Sequence, residues 1–191
     1  KKMYERDSVA DLLATLSNYK TFPQLTEYRE ADGSIDSYLE QWEQLRRVGH
    51  RYRDNKLQQL DLHAFTPLDE DYPRIKTLND GLCGFPTNYH DNWLIVSAPT
   101  LDVELPAGTA SLGRTLTVST FHRHRWHINQ PARIELLQDG RVVATAVPHA
   151  DAEMTRTLTS LPLAGLNARK PATLRLTNPT GTMAIDELIV E

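Results

Sequence analysis

A single cysteine, Cys83, occurs in 191 residues, which excludes an intrachain disulfide and a cysteine-based zinc site. Cys83 itself reads as a small apolar side chain in a loop. No apolar run approaches the roughly eighteen residues that a membrane-crossing helix needs, so no membrane span is expected. Positive charge is not in surplus either: 21 Lys and Arg against 25 Asp and Glu leave a formal net charge of −4. That balance removes the electrostatic ground for binding nucleic acid. The signatures of catalysis are missing as well, with no Gly-x-Ser-x-Gly elbow, no phosphate-cradling glycine loop and no His-Glu-x-x-His. Glycoside hydrolysis needs two carboxylates across a cleft. The run Asp69-Glu70-Asp71 offers proximity without a cleft and reads as a solvated boundary. The expectation is that this chain performs no chemistry itself.

What is present suits a globular fold: 40% hydrophobic and 24% charged residues allow a sizeable core. The two halves of the chain differ in period. Val9, Leu12, Leu13, Leu16 and Tyr19 recur at helical spacing behind a possible cap at Ser8, and the Phe22-Pro23 step ends that helix. Ala31-Asp-Gly-Ser34 leads into a second helix carrying Ile35, Leu39, Trp42, Leu45 and Tyr52, expected to run to about Asp61. Two helices with one apolar stripe each do not make a domain alone, so they are expected to pack on the rest of the chain or on an upstream domain. The acidic, proline-bounded stretch Thr66–Arg74 marks the boundary, dividing a helical segment 1–65 from a β-rich part 66–191.

After the boundary, strand-like segments recur at short spacing: Trp93–Val96, Leu101–Leu105, Leu116–Phe121, Arg133–Leu137, Val142–Val147, Arg156–Leu161, Thr173–Thr177 and Ala184–Val190. Gly and Pro punctuate them, which favours a β-sandwich or jelly roll over a parallel α/β sheet. Asp139-Gly140, between two apolar runs, is a hairpin turn signal. By content the fold class is α+β: an N-terminal helical segment, then an all-β sandwich. Ahead of the strands lies Thr77–Trp93, whose Asn-Asp-Gly turn, Gly84 and Pro86 indicate an ordered loop able to fix oxygen atoms in place.

The ordered series Leu78-x-Asp80-Gly81, Gly84, Trp93, Ile128-Asn-Gln-Pro131, Arg133–Leu137, Asp139-Gly140 and Met183–Val190 resembles a galactose-binding-like β-sandwich. Its pattern is similar to the factor 5/8 type C (discoidin) modules appended to bacterial glycosidases, over roughly Leu68 to Glu191. The resemblance implies a glycan or polysaccharide ligand, an upstream catalytic domain in the same protein, and a secreted, periplasmic or cell-surface setting. Lys1–Arg6 lacks the apolar core of a signal peptide, so the expectation is either an intracellular protein or a mature fragment whose signal lies upstream. The resemblance also implies a structural calcium. Asp80, Thr87 and Glu187 match the family's ligands in kind, although the apolar Leu82–Pro86 departs from its spacing.

The family's sugar site, on loops at one end of the sandwich, maps onto His122, Arg123, His124, Arg125 and Trp126. Trp126 is able to stack on a pyranose while the four polar side chains bond its hydroxyls; equally, Trp126 is able to pack on the sandwich. Zinc on His122, His124 and His127 is disfavoured, because His127 has the opposite strand parity and no acidic residue adjoins. Trp93 and Trp42 read as core residues. The resulting expectation is an accessory carbohydrate-binding module. The alternatives are a purely structural brace for an upstream domain, or a chain that lends a loop to a neighbouring glycoside hydrolase site.

Overall fold

Alternation of apolar and polar residues fixes which strand faces turn inward. Thr100–Leu105, Arg133–Gln138 and Ala172–Thr177 each bury every second side chain, as strands with one wet face do. The computed structural model describes residues 51–52, 54–64, 78–82, 84, 92–150 and 155–191. Within them the chain forms nine strands: β1 (His63–Ala64), β2 (Leu94–Val96), β3 (Thr100–Leu105), β4 (Thr115–His122), β5 (Arg133–Gln138), β6 (Arg141–Ala146), β7 (Thr155–Pro162), β8 (Ala172–Thr177) and β9 (Met183–Val190). All eight strands expected from the pattern are present, within a residue or two at each end. The short β1 is an addition, and it joins the sandwich from within the segment expected to be helical.

Two sheets result, ordered β1-β3-β8-β5-β6 and β2-β9-β4-β7, with every pairing antiparallel. From β2 onward the chain alternates between the sheets except at the β5–β6 hairpin. That hairpin turns on Asp139 and Gly140, both at positive φ (51° and 75°), the two left-handed positions that a two-residue hairpin with matching twist requires. One core fills the space between the sheets. Leu101, Val103, Ile134, Leu136, Leu174 and Leu176 face Val96, Leu116, Val118, Leu161, Ile185 and Leu188 across it.

Strands β2, β4 and β9 of the four-stranded sheet are buried on both sides. All eight residues of β9 are buried, and a second apolar cluster of Trp93, Ile95, Phe121, Ile128 and Ala184 covers part of its outer face. Trp93 and Phe121 stack there with ring centres 5.1 Å apart. The expected helices of residues 1–50, Trp42 included, lie outside the described residues. Arg51 and Tyr52 are helical, but the helix does not continue to Asp61. Asn55 is extended (φ −65°, ψ 106°), and its side chain accepts from Leu57 N to cap a 3-10 turn at Lys56–Gln59. An Asn side chain that bonds nearby backbone competes with helix continuation, which explains the break. No helix among the described residues is long and apolar enough to cross a membrane.

Candidate functional site

The polar heart of the molecule grows from a pairing irregularity in β9. Ser119 pairs with Glu187 and Thr120 with Ile185, so Asp186 has no partner on β4 and forms a β-bulge. Ile185 and Leu188 both enter the main core. The two residues between them therefore share the opposite face, and adjacent carboxylates, each 0% exposed, project from the outer side of the sheet. Burying two charges is costly unless each is bonded and compensated.

Asp186 is compensated from three stretches of chain. Arg156, at the start of β7, places its guanidinium against the Asp186 carboxylate, with both side chains almost fully buried (2% and 0% exposed). The same guanidinium donates to Tyr52 Oη at 2.7 Å, Ser119 Oγ at 2.9 Å and the Gly84 carbonyl at 2.7 Å. Tyr52 Oη lies 2.9 and 3.0 Å from the Asp186 oxygens, and Gly84 N donates to Asp186 at 2.8 Å. The Arg156 cation also sits 4.8 Å from the Trp93 ring centre, a cation–π contact that links this network to the second apolar cluster. Gly84 must be glycine here, because a Cβ at that position would run into the Trp93 indole.

Glu187 and its surroundings complete the edge of β9. Strand β2 ends its pairing at Leu94↔Ile185, which leaves the far half of β9 without a neighbour on that side. Asn55 substitutes for the missing strand: Nδ2 donates to Leu188 O at 2.7 Å and to Glu187 Oε1 at 3.0 Å, while Oδ1 accepts from Val190 N and Leu57 N, each at 3.1 Å. Leu188 N donates to Leu78 O at 2.6 Å, and Gly81 N donates to Glu187 at 3.1 Å. Asn79 Nδ2 then ties the second stretch to the first through Leu57 O and Leu60 O, both at 2.6 Å. Backbone groups of Leu188 and Val190 that β2 is too short to satisfy are satisfied by Asn55 and Leu78 instead.

The expected calcium set is placed only in part. The structure places Glu187 beside the Asp80-Gly81 turn, and Thr87 lies outside the described residues. Asp80 is exposed, and its Oδ1 accepts from Leu82 N. The Glu187 oxygens face N–H donors from Gly81 and Asn55. A calcium shell needs six to eight oxygens, and of the expected set the Glu187 oxygens and Asp80 Oδ1 already accept N–H donors. Among the described residues no group of three or more His, Cys, Asp or Glu side chains is placed to hold a metal.

The expected sugar-facing loop joins β4 to β5. Arg123 and Ile128 form a bridge that closes it, and His124–Trp126 makes a single 3-10 turn ended by His127 at φ 56°. His124, Arg125 and His127 are exposed, whereas His122, Arg123 and Trp126 are half-buried. The Arg123 guanidinium lies 3.4 Å from the centre of the Trp126 ring. Trp126 also packs against the cluster of Trp93, Ile95, Phe121, Ile128 and Ala184. The five residues named from the sequence therefore do fall together, with the indole serving as packing and as a seat for Arg123.

A groove of about 510 Å³ lies on the outer face of the five-stranded sheet, lined among others by Asp102, Glu104, Gln138, Asp139, Thr173 and Arg175. Arg175 donates Nε and Nη2 to the two Asp102 oxygens at 2.8 and 2.7 Å. That hydrogen bonding, followed by the Asp102 charge, raises the Arg175 guanidinium above its ordinary value, so it stays a cation at any working pH. Among the described residues no aromatic side chain lines the groove.

Sequence reasoning did not find Tyr52, Asn55, Arg156 or Asp186. The available signal was Asp186-Glu187 set inside the apolar strand MAIDELIV, where charges on adjacent residues of a buried strand demand partners on whichever face they share. No protein-family model matches the chain, and no curated protein matches it.

Proposed function

We propose that this chain is a non-catalytic structural brace: a β-sandwich whose four-stranded sheet grips the polypeptide N-terminal to it. One observation carries the reading, the buried network in which Tyr52, Asn55, Gly81 and Gly84 converge on Asp186, Glu187 and Arg156. Such a network is costly to bury and depends on geometry, so its value lies in fixing one arrangement of the gripped segment. The strand alternation between sheets supports a jelly roll of the galactose-binding-like kind. In the setting that the discoidin resemblance implies, the gripped stretch would follow an upstream glycan-active domain and hold it against the sandwich.

A second reading is favoured by a separate observation. The His122–Trp126 loop is pinned by its own bridge and displays the exposed polar side chains of His124 and Arg125 beside a half-buried indole, an arrangement that supports carbohydrate binding at this end. Lending this loop to a neighbouring hydrolase site is a variant of the same reading.

Hydrogen exchange on the Arg156→Met variant tests the brace. Protection should fall at 52–60 and 78–84 while β3, β5 and β8 keep theirs. Equal protection of the two segments in parent and variant would refute the grip.

A further inference from the structure

We infer that Arg123 is a lid on Trp126: its guanidinium occupies the indole face on which a neutral pyranose would stack, and it has to swing away before such a ligand binds. The inference rests on the carbohydrate-binding reading of this loop and adds the step that controls entry to it.

The local turn builds the lid. Arg123 is the cap of the 3-10 turn His124–Trp126, and its carbonyl accepts from Trp126 N at 2.9 Å. Side chains three residues apart eclipse in such a turn, so Arg123 and Trp126 rise on the same side. The guanidinium carbon lies 3.4 Å from the centre of the indole ring, the contact distance of stacked groups. A sugar ring stacking on that face needs the layer that the guanidinium already fills.

The frame beneath the pair is fixed. Arg123 N donates to Ile128 O at 2.9 Å, and Ile128 N donates to Arg123 O at 3.1 Å. Ile128 is buried and belongs, with Trp93, Ile95, Phe121 and Ala184, to the cluster against which the indole packs. Asn129 N donates to Thr182 O at 2.8 Å and Thr182 N donates to His127 O at 3.1 Å, which ties the loop to the β8–β9 connection. Gly181 in that connection sits at φ 77°, and a Cβ on it would meet His127 O at 2.9 Å, so a side chain there would push the two connections apart. With the backbone held in this way, the ring is uncovered by rotation about the side-chain bonds of Arg123.

The strength of the stack sets the size of the effect. A cation–π contact at a site that solvent reaches favours the covered ring about two- to five-fold. A ligand that binds only the uncovered ring loses apparent affinity in proportion to the uncovered fraction, so removing the guanidinium should return a factor of about that size.

Two measurements on the intact chain test the lid. Acrylamide quenching of tryptophan fluorescence reads the cover without any ligand. Quenching should rise in Arg123→Ala, and the rise should vanish in Arg123→Ala/Trp126→Phe; equal quenching in the parent and Arg123→Ala would overturn the lid. Affinity electrophoresis and calorimetry with a neutral galactan, mannan and glucan then read the gate. Arg123→Ala should bind at least one of them about two- to five-fold more tightly than the parent, with a melting temperature close to the parent's. Binding by the parent that Arg123→Ala leaves equal or weaker would overturn the lid and leave the carbohydrate-binding reading standing. Failure of the parent and Arg123→Ala alike to bind any of the three would overturn both, even where quenching rises. Tighter binding that persists in Arg123→Ala/Trp126→Ala would place the sugar elsewhere and overturn the inference.

Discussion

Replacing Arg156 by Met tests the central network, because Met approximates the stem of the side chain and removes only the charge and its donors. In the parent, Arg156 supplies Tyr52 Oη, Ser119 Oγ, the Asp186 carboxylate and the Gly84 carbonyl. After the change Asp186, 0% exposed in the parent, keeps Tyr52 Oη and Gly84 N as donors among the described residues but loses the Arg156 cation. Removing one partner of a buried ion pair costs about 3–5 kcal/mol, mostly the penalty of the charge left behind. For a chain of this length that corresponds to a fall in melting temperature of about 6–20 °C. Urea unfolding followed by tryptophan fluorescence and circular dichroism measures it, and the two probes must coincide for a two-state value to hold. The double variant Arg156→Met/Asp186→Asn separates charge from packing. It should cost less than the sum of its single changes, with a coupling of about 1–3 kcal/mol. A single variant that loses under about 1 kcal/mol, or strictly additive costs, would show that water reaches the pair and that the network does not grip the segment.

Three other outcomes follow from particular contacts. Gly84→Ala forces a methyl group into the Trp93 indole, so it should cost about 1–3 kcal/mol and lower near-ultraviolet dichroism from tryptophan; an unchanged melting curve would contradict that packing. Trp126→Ala removes a half-buried ring from the second cluster and unseats Arg123, so a loss of about 1–3 kcal/mol in urea unfolding is expected, smaller than for a fully buried tryptophan. A variant as stable as the parent would mark Trp126 as a platform for ligand alone. Chelation with EDTA should leave the melting temperature where it was, because Glu187 faces N–H donors; a fall on chelation that calcium reverses would restore the Asp80, Thr87 and Glu187 set.

Strands β3, β5 and β8 were legible because their residues alternate, the others because Gly and Pro punctuate short apolar runs, and the hairpin because Asp139-Gly140 is one of few pairs that tolerate two positive φ angles in succession. The loop His122–Trp126 was legible as a cluster because its members are neighbours in sequence. The network was not, since Tyr52 and Asp186 stand 134 residues apart and Arg156 and Gly84 stand 72 apart. No periodicity joins such positions. The bulge hid them further: strict alternation assigns Asp186 and Glu187 to opposite faces, one in the apolar core, so neither looks like part of a shared site. One unpaired residue turns both outward. Once both carboxylates share that face, a short β2 and a long β9 leave no way to satisfy them or the β9 backbone except with residues from elsewhere in the chain. The glycines of the Asn-Asp-Gly loop then acquire a different meaning. Gly81 and Gly84 bring backbone N–H groups against two buried acids, and Gly84 leaves room for the Trp93 ring that closes over Arg156.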